Sequence, residues 1–291
     1  MVKYLSLLPV LTLFFTCTTT EIQLDLPFDG ERIVANGFLT PEGLRLNLTL
    51  SADPNDTFYV GNVNYLENAD VLLESDEGLS VLVPEVAPGR YLLTQPLPAT
   101  AIYRLSLRAD GLPPASVAQL RIPEPVGELA AELLEPLDSS RFGFSGDYRI
   151  RAEHEVAFPG REEEYFLEIK TETTPTDEGF TVYNYSGLEL EFEAACGVIG
   201  FTYTTLRTAC FRDVANRIRI TSNGYVTLPP EELVLTVSVI DSGFYDHARR
   251  LQQPYDGFQL IYNDPNLYVN NVEGGFGYVS PRRETAFRWR Y

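Results

Sequence analysis

The sequence predicts a mainly β protein, made of two successive antiparallel domains with one or two short helices in the second. Three observations predict it. Aromatic residues are plentiful, 17 Tyr and 17 Phe beside 20 Pro and 21 Gly, and aromatics set among turn formers favour strands. Leu44-Arg45-Leu46-Asn47-Leu48-Thr49-Leu50 alternates apolar and polar residues without a break, which is the pattern of a half-buried strand. Turn signals recur about every 8 to 12 residues, the spacing of a small sandwich.

The first element is a leader. Met1, Val2 and Lys3 give a short positive start, and Tyr4 to Phe15 is apolar except for Ser6, Pro9 and Thr12. A membrane-spanning helix needs about 20 such residues, so this stretch has the size of a signal-peptide core. Thr16-Cys17 follows, then the polar run Thr18-Thr19-Thr20-Glu21. A small residue before a cysteine here resembles the bacterial lipobox, with Phe14 and Phe15 standing where a Leu and a small residue are usual. That resemblance implies cleavage before Cys17 and a diacylglycerol on its thiol. The alternative is an ordinary secreted protein with a chance cysteine near its signal.

Residues 17–30 read as a polar tether, and strand-like sequence begins at Glu31. Ile33-Val34-Ala35 precedes an expected turn at Gly37. After Leu44–Leu50, Asp53-Pro54-Asn55-Asp56 is a turn cluster. Ala69–Glu74 is a strand closed by Asp76-Glu77-Gly78. Pro88-Gly89-Arg90-Tyr91-Leu92-Leu93 and Tyr103–Arg108 follow, the latter ending at Asp110-Gly111. This stretch resembles the immunoglobulin-like or transthyretin-like modules of bacterial surface proteins. Pro123-Glu124-Pro125 ends it. The expected domains are therefore a signal peptide at 1–16, the tether, an immunoglobulin-like sandwich at 31–125 and a C-terminal antiparallel β domain at 126–291.

In the second domain, Leu129, Leu133 and Leu134 predict a short helix within 127–137. Tyr148–Val156 alternates and ends at Pro159-Gly160, with Glu164–Lys170 expected as its hairpin partner. Strands are expected at 180–185, 188–194, 199–206 and 217–221. Leu233–Ile240 is the most apolar strand. Asp241-Ser242 is an N-cap for a helix from about Gly243 to Gln253, before Pro254.

Charge and cysteines narrow the function. A net charge of −19 is the wrong sign for a nucleic-acid binder and disfavours adsorption to anionic lipid. Of three cysteines, assigning Cys17 to lipid leaves Cys196 and Cys210. These are expected to form a disulfide across a hairpin, since exported chains keep such bonds; two buried thiols are the alternative. No metal or cofactor is expected. Only His154 and His247 exist, neither at zinc-ligand spacing from the cysteines, and no EF-hand loop is present. Between two glutamates of an alternating strand, His154 is expected on a solvated face. Glu162-Glu163-Glu164 reads as a charged hairpin tip. No nucleophile elbow, phosphate loop or His-Glu-x-x-His motif is found, so no catalytic residues are assigned. Asp213, Asp241 and Asp246 remain candidates for a glycosidase-like carboxylate pair.

The tail holds the most specific pattern, Asp264-Pro265-Asn266-Leu267-Tyr268-Val269-Asn270-Asn271-Val272-Glu273-Gly274-Gly275-Phe276-Gly277-Tyr278-Val279. Asn270 and Asn271 suit a turn, and Gly274, Gly275 and Gly277 allow backbone angles closed to other residues. These five are expected to form a structural turn that seats the last strand against the second sheet; a binding cradle is the alternative. This ending is similar to that of a Bacteroidota outer-membrane lipoprotein family of unknown function (DUF4249-like), with Asn270 in place of the usual Ser. The lipobox, the Ala69-to-Gly111 stretch and the Leu235–His247 strand-to-helix fit the same family in order. The resemblance implies a two-domain β-rich lipoprotein, often encoded beside a TonB-dependent transporter, with no known catalytic residues. The expected function is a non-enzymatic outer-membrane lipoprotein that captures a ligand for such a transporter or scaffolds it. A structural or adhesive surface protein is the first alternative and a hydrolase the second.

Overall fold

The computed structural model describes residues 30–51, 64–135, 138–142, 147–160, 163–174, 184–185, 196–199, 204–214, 216–226, 230–251 and 270–291. The leader, Cys17, the tether up to residue 29, Asp53–Asp56 and the expected strand at 188–194 lie outside these residues.

Among the described residues eight strands follow one another to Arg121: β1 (Ile33–Thr40), β2 (Gly43–Leu50), β3 (Asp70–Ser75), β4 (Ser80–Leu82), β5 (Glu85–Ala87), β6 (Arg90–Leu93), β7 (Ile102–Arg108) and β8 (Ala115–Arg121). They form a sandwich. One sheet runs β1-β2-β6-β5 and the other β4-β3-β7-β8. Ile33, Leu44, Leu46, Leu48, Leu73, Tyr103, Leu105 and Leu107 interdigitate between them, fully or almost fully buried. Alternation does the work: every second residue of β2 and β7 faces inward, as a period of 2 requires. Gly37 departs from expectation. It lies inside β1, opposite Leu46, where a Cβ would run into the Arg45 carbonyl oxygen; the turn falls at Pro41-Glu42.

The rest of the chain gives β9 (Ala130–Leu133), β10 (Asp138–Phe142), β11 (Asp147–Ala157), β12 (Phe166–Thr174), β13 (Asn184–Tyr185), β14 (Gly197–Ile199), β15 (Thr204–Arg207), a 3-10 turn at Thr208–Val214, β16 (Arg217–Val226), β17 (Glu232–Ile240), helix α1 (Ser242–Leu251) and β18 (Val279–Arg290). This is a second sandwich. Its faces are β14-β15-β12-β17-β18 and β10-β11-β16-β13, with β9 also on β11. The expected helix at 127–137 is instead β9, paired with the edge of β11. Leu129 and Leu133 do pack, but into different clusters, as on an extended segment. Tyr148–Val156 and Glu164–Lys170 are not hairpin partners. They sit on opposite sheets, and their inward residues Val156, Leu167 and Ile169 meet in one core. Cys196 and Cys210 are joined, Cα to Cα 5.6 Å and 14 residues apart. Closing a loop of that size stabilises by about 3 kcal/mol in the chain-entropy account.

The two sandwiches share a sheet, which therefore crosses the expected boundary at 125. β18 starts as a parallel neighbour of β1, with Gly37 opposite Val279 and Leu39 opposite Pro281. From Arg282 to Arg290 it pairs antiparallel with β17 instead. The result is one nine-stranded sheet, β14-β15-β12-β17-β18-β1-β2-β6-β5.

His154 is buried rather than solvated. It follows Ile150 and Ala152 on the inward register of β11, is 0% exposed, and stacks on Trp289 at 6.1 Å between centroids. Neither ring nitrogen has a partner. Burial lowers its pKa from 6.5 to about 4. A folded state that refuses a proton which the unfolded chain accepts loses stability as pH falls through that window. Stability from His154 is thus whole above about pH 6.5 and lost towards pH 4, an effect of about 3 kcal/mol. Thermal melting across this range is expected to fall steeply for the wild type and less for His154→Leu.

Candidate functional site

The joint between the sandwiches gathers the most unusual side chains among the described residues. It is built by β1, β12, the β17-to-α1 corner and the tail. β1 brings Phe38, the end of β17 leads into α1, and the tail brings Tyr278, Ser280 and Arg282 as it enters β18.

Asp241 caps α1, as the Asp-Ser pair predicts. Its Oδ1 accepts from the Phe244 N–H at 2.9 Å and from the Tyr278 hydroxyl at 2.5 Å. Its Oδ2 accepts from the Ser280 hydroxyl at 3.2 Å. One carboxylate therefore fixes the helix start and the incoming strand together. Desolvation, with the Asp241 charge next, pushes the Tyr278 hydroxyl far above the usual phenol range, so it stays a donor. Its ring stacks on His247 at 5.3 Å.

Arg282 is 2% exposed. It faces Glu168 of β12, with Nη1 to Oε1 at 2.6 Å and Nη2 to Oε2 at 3.4 Å. Its guanidinium carbon lies 3.5 Å from the Phe38 ring centroid and 5.0 Å from that of Phe244. Burial raises the Glu168 pKa, and Arg282 opposes that rise. A planar cation that pairs with a carboxylate and stacks on aromatic faces is what arginine, and not lysine, can supply. Phe38 belongs to the first sandwich and Glu168 to the second, so this side chain bridges them.

The expected tail turn forms, but against the first sandwich and not the second sheet. Asn270 Oδ1 accepts from the Val272 N–H at 2.9 Å, and its Nδ2 donates to the Gly275 carbonyl at 3.0 Å. Asn271 brackets Val279, accepting from its N–H at 2.9 Å and donating to its carbonyl at 2.8 Å. Glu273 exchanges two backbone bonds with Ser116 of β8, and Phe276 donates to the Ile33 carbonyl of β1. The turn thus straps the two sheets of the first sandwich together. Gly274 and Gly277 have φ of +79° and +106°, which glycine adopts freely. Gly275 does not, but a Cβ there would strike the Ile33 carbonyl oxygen.

Other candidate residues are dispersed. Asp246 is exposed on α1, while Asp241 is taken up by the helix cap and two hydroxyls; the side chain of Asp213 lies outside those described. Glu164 is held by Arg207 through two bonds of 2.9 and 3.0 Å. Among the described residues no group of three or more His, Cys, Asp or Glu is placed to hold a metal ion, and no helix is long and apolar enough to cross a membrane. Sequence reasoning missed Phe38, Glu168 and Arg282. The only signal was an arginine directly after Pro281 in a strand that otherwise alternates.

Comparison with known proteins gives a family and little else. The model of a family described as a domain of unknown function, DUF4249, matches residues 19–287. No curated protein matches. Among solved structures, the native conformation of E. coli alpha-2-macroglobulin is 11% identical with a TM-score of 0.24, covering 75% of this chain and 14% of that one. A second structure, described as manganese lipoxygenase of Gaeumannomyces graminis and partial zonadhesin of Komagataella pastoris, is 8% identical with a TM-score of 0.18, covering 72% of this chain and 88% of that one.

Two outcomes are expected from this geometry. Arg282→Ala strands a buried carboxylate and should cost about 3–5 kcal/mol, whereas Arg282→Met combined with Glu168→Leu should recover most of it; denaturant unfolding of the three proteins measures both. Gly277→Ala forces a side chain into a left-handed backbone and should cost about 1–3 kcal/mol, read as a lower Tm. An unchanged Tm would take the glycines out of the structural turn and point to a binding cradle.

Proposed function

The chain belongs to the DUF4249 family, and from that premise we propose that it is a non-enzymatic outer-membrane lipoprotein of the Bacteroidota that serves a TonB-dependent transporter as an accessory, ligand-capture or scaffold subunit. The observation that carries the reading is the leader: an apolar core of signal-peptide size ending at Thr16-Cys17, then a polar tether, then a two-sandwich body. The use of the buried carboxylates favours the same view. Asp241 is spent on a helix cap and two hydroxyls, and Glu168 on Arg282, so both act as structural bonds rather than as acid or base.

Anchoring needs more than one acyl chain for stable membrane residence, and a diacylglycerol at Cys17 meets that need. Metabolic labelling with a fatty-acid analogue is expected to mark the wild type and not Cys17→Ala, and the variant should leave the membrane fraction. Equal labelling of both would overturn the anchor. Recovery of a transporter barrel with the wild type from solubilised outer membrane tests the partner; its absence favours a structural or adhesive role.

A further inference from the structure

β18 has one side in use and one side open. Between Arg282 and Arg290 it pairs with β17, while β1 has turned away after Thr40. No described strand occupies the side that β1 leaves. The backbone directions follow from the bonds on either side. Tyr291 donates its N–H to Glu231, next to β17. Tyr278 offers its carbonyl to Gly37 of β1. Successive residues of a strand present their N–H and C=O groups to opposite sides. The groups of Glu284, Ala286, Arg288 and Arg290 therefore point along the vacated line of β1, and none of them has a backbone partner there among the described residues.

An open edge of this length is a template for another strand. Edges are commonly blunted by brevity, as in the three-residue β4 and β5 on the other side of the first sandwich. β18 is 12 residues long. Its side chains are sorted by face. Phe287 and Trp289 are half-buried on the inner face and stack on each other at 6.4 Å. Arg288 and Arg290 stand on the outer face, shared with the single carboxylate of Glu232. From Arg283 to Arg290 there are three arginines and one glutamate, on a chain of net charge −19.

We propose that the free edge of β18, from Glu284 to Arg290, is a docking site for an extended segment of a partner protein that alternates acidic and apolar side chains and joins the sheet as an added strand. Backbone bonding supplies the register, the aromatic pair receives the apolar side chains, and the two outer arginines receive the acidic ones. A second copy of the same edge, paired antiparallel about Phe287, would set Glu284 opposite Arg290 and is the competing occupant, whereas an acidic strand meets both Arg288 and Arg290. The edge is read from hydrogen bonding alone and leans on the accessory-subunit reading only for the existence of a partner, so its test is independent of Cys17.

The probe is a fluorescein-labelled octapeptide of alternating Glu and Val, titrated with the full chain in detergent and followed by anisotropy. Binding at least tenfold tighter than that of the Lys-Val analogue is expected. Ala286→Pro removes one outward N–H without touching the bonds to β17, so it should keep the wild-type Tm and lose at least tenfold in affinity. Arg288→Glu with Arg290→Glu should invert the peptide preference. A Glu-Val peptide N-methylated at alternate residues should not bind, which tests the edge with the protein unchanged. Amide exchange gives a direct reading: Glu284, Ala286, Arg288 and Arg290 should exchange fast alone and slow with peptide. Protection of these amides without peptide, undiminished binding by Ala286→Pro or by the N-methylated peptide, or a concentration-dependent dimer that Ala286→Pro abolishes would each overturn the proposal.

Discussion

Everything in this molecule depends on one strand serving two sandwiches. β18 is a strand of the first sheet for three residues and of the second for nine. The change of partner has a physical cause. β1 must turn back at Pro41-Glu42 to make its hairpin with β2, so β18 loses that neighbour after Pro281 and takes up β17 from Arg282. Proline suits this point, since it has no N–H to place and occurs where pairing lapses. The strand must also arrive at a fixed height and angle, or neither register closes. The tail turn sets the arrival through Asn271, which holds both backbone groups of Val279. Asp241 then sets the angle by holding Tyr278 and Ser280 to the helix start.

Arg282 completes the joint, and its energetics decide what the joint is for. A buried ion pair gains little over apolar residues of equal volume, because removing both charges from water offsets their attraction. Its value here is geometric. A guanidinium fixed to Glu168 and laid against Phe38 has one compatible arrangement of the two sandwiches, whereas methionine and leucine would pack in several. The cation–π contact with Phe38 at 3.5 Å adds a short-range term in a desolvated setting. We therefore read the pair as specifying orientation more than adding stability.

Much of the fold was legible in the sequence, and the misses share a cause. Alternation located β2 and β11, an apolar run located β17, strand-like sequence before a turn signal located β7, and an Asp-Ser pair located α1, because those signals are local. His154 was misplaced by its neighbours: Glu153 and Glu155 suggested water, but parity with Ile150, Ala152 and Val156 puts its ring inside. Parity was the better guide. The segment around Leu129 and Leu133 fits helical spacing, yet the open edge of β11 recruited it as a strand, a tertiary effect that overrides weak propensity. Pairing was least legible. The tail follows the second domain in sequence, so proximity assigned its turn there. Its true partners, Ile33 and Ser116, are far away along the chain, and no local pattern records a parallel pairing across that distance. The joint shared this fate: Phe38, Glu168 and Arg282 each look ordinary alone, and only the fold brings them together.

The same shared strand orders the molecule along its length. The tether leads into Ile33, at the start of β1. β18 runs in the direction of β1 and then onward, so the second sandwich lies beyond the Thr40 end of β1. At roughly 3.3 Å per residue, the level of Arg290 is about 50 Å from the level of Ile33. On the proposed reading of a Cys17 anchor, the first sandwich is the stalk and the second is held out from the bilayer. A rigid joint then matters for a definite reason. An open strand edge docks only when its line is presented at a fixed angle, since every residue of an added strand must meet its donor and acceptor at once. A flexible hinge at Pro281 would let the edge sample many directions and lower the fraction of encounters that pair. Locking the joint through Glu168, Arg282 and Phe38 removes that freedom before any partner arrives, so the ordering cost is met in folding rather than in binding.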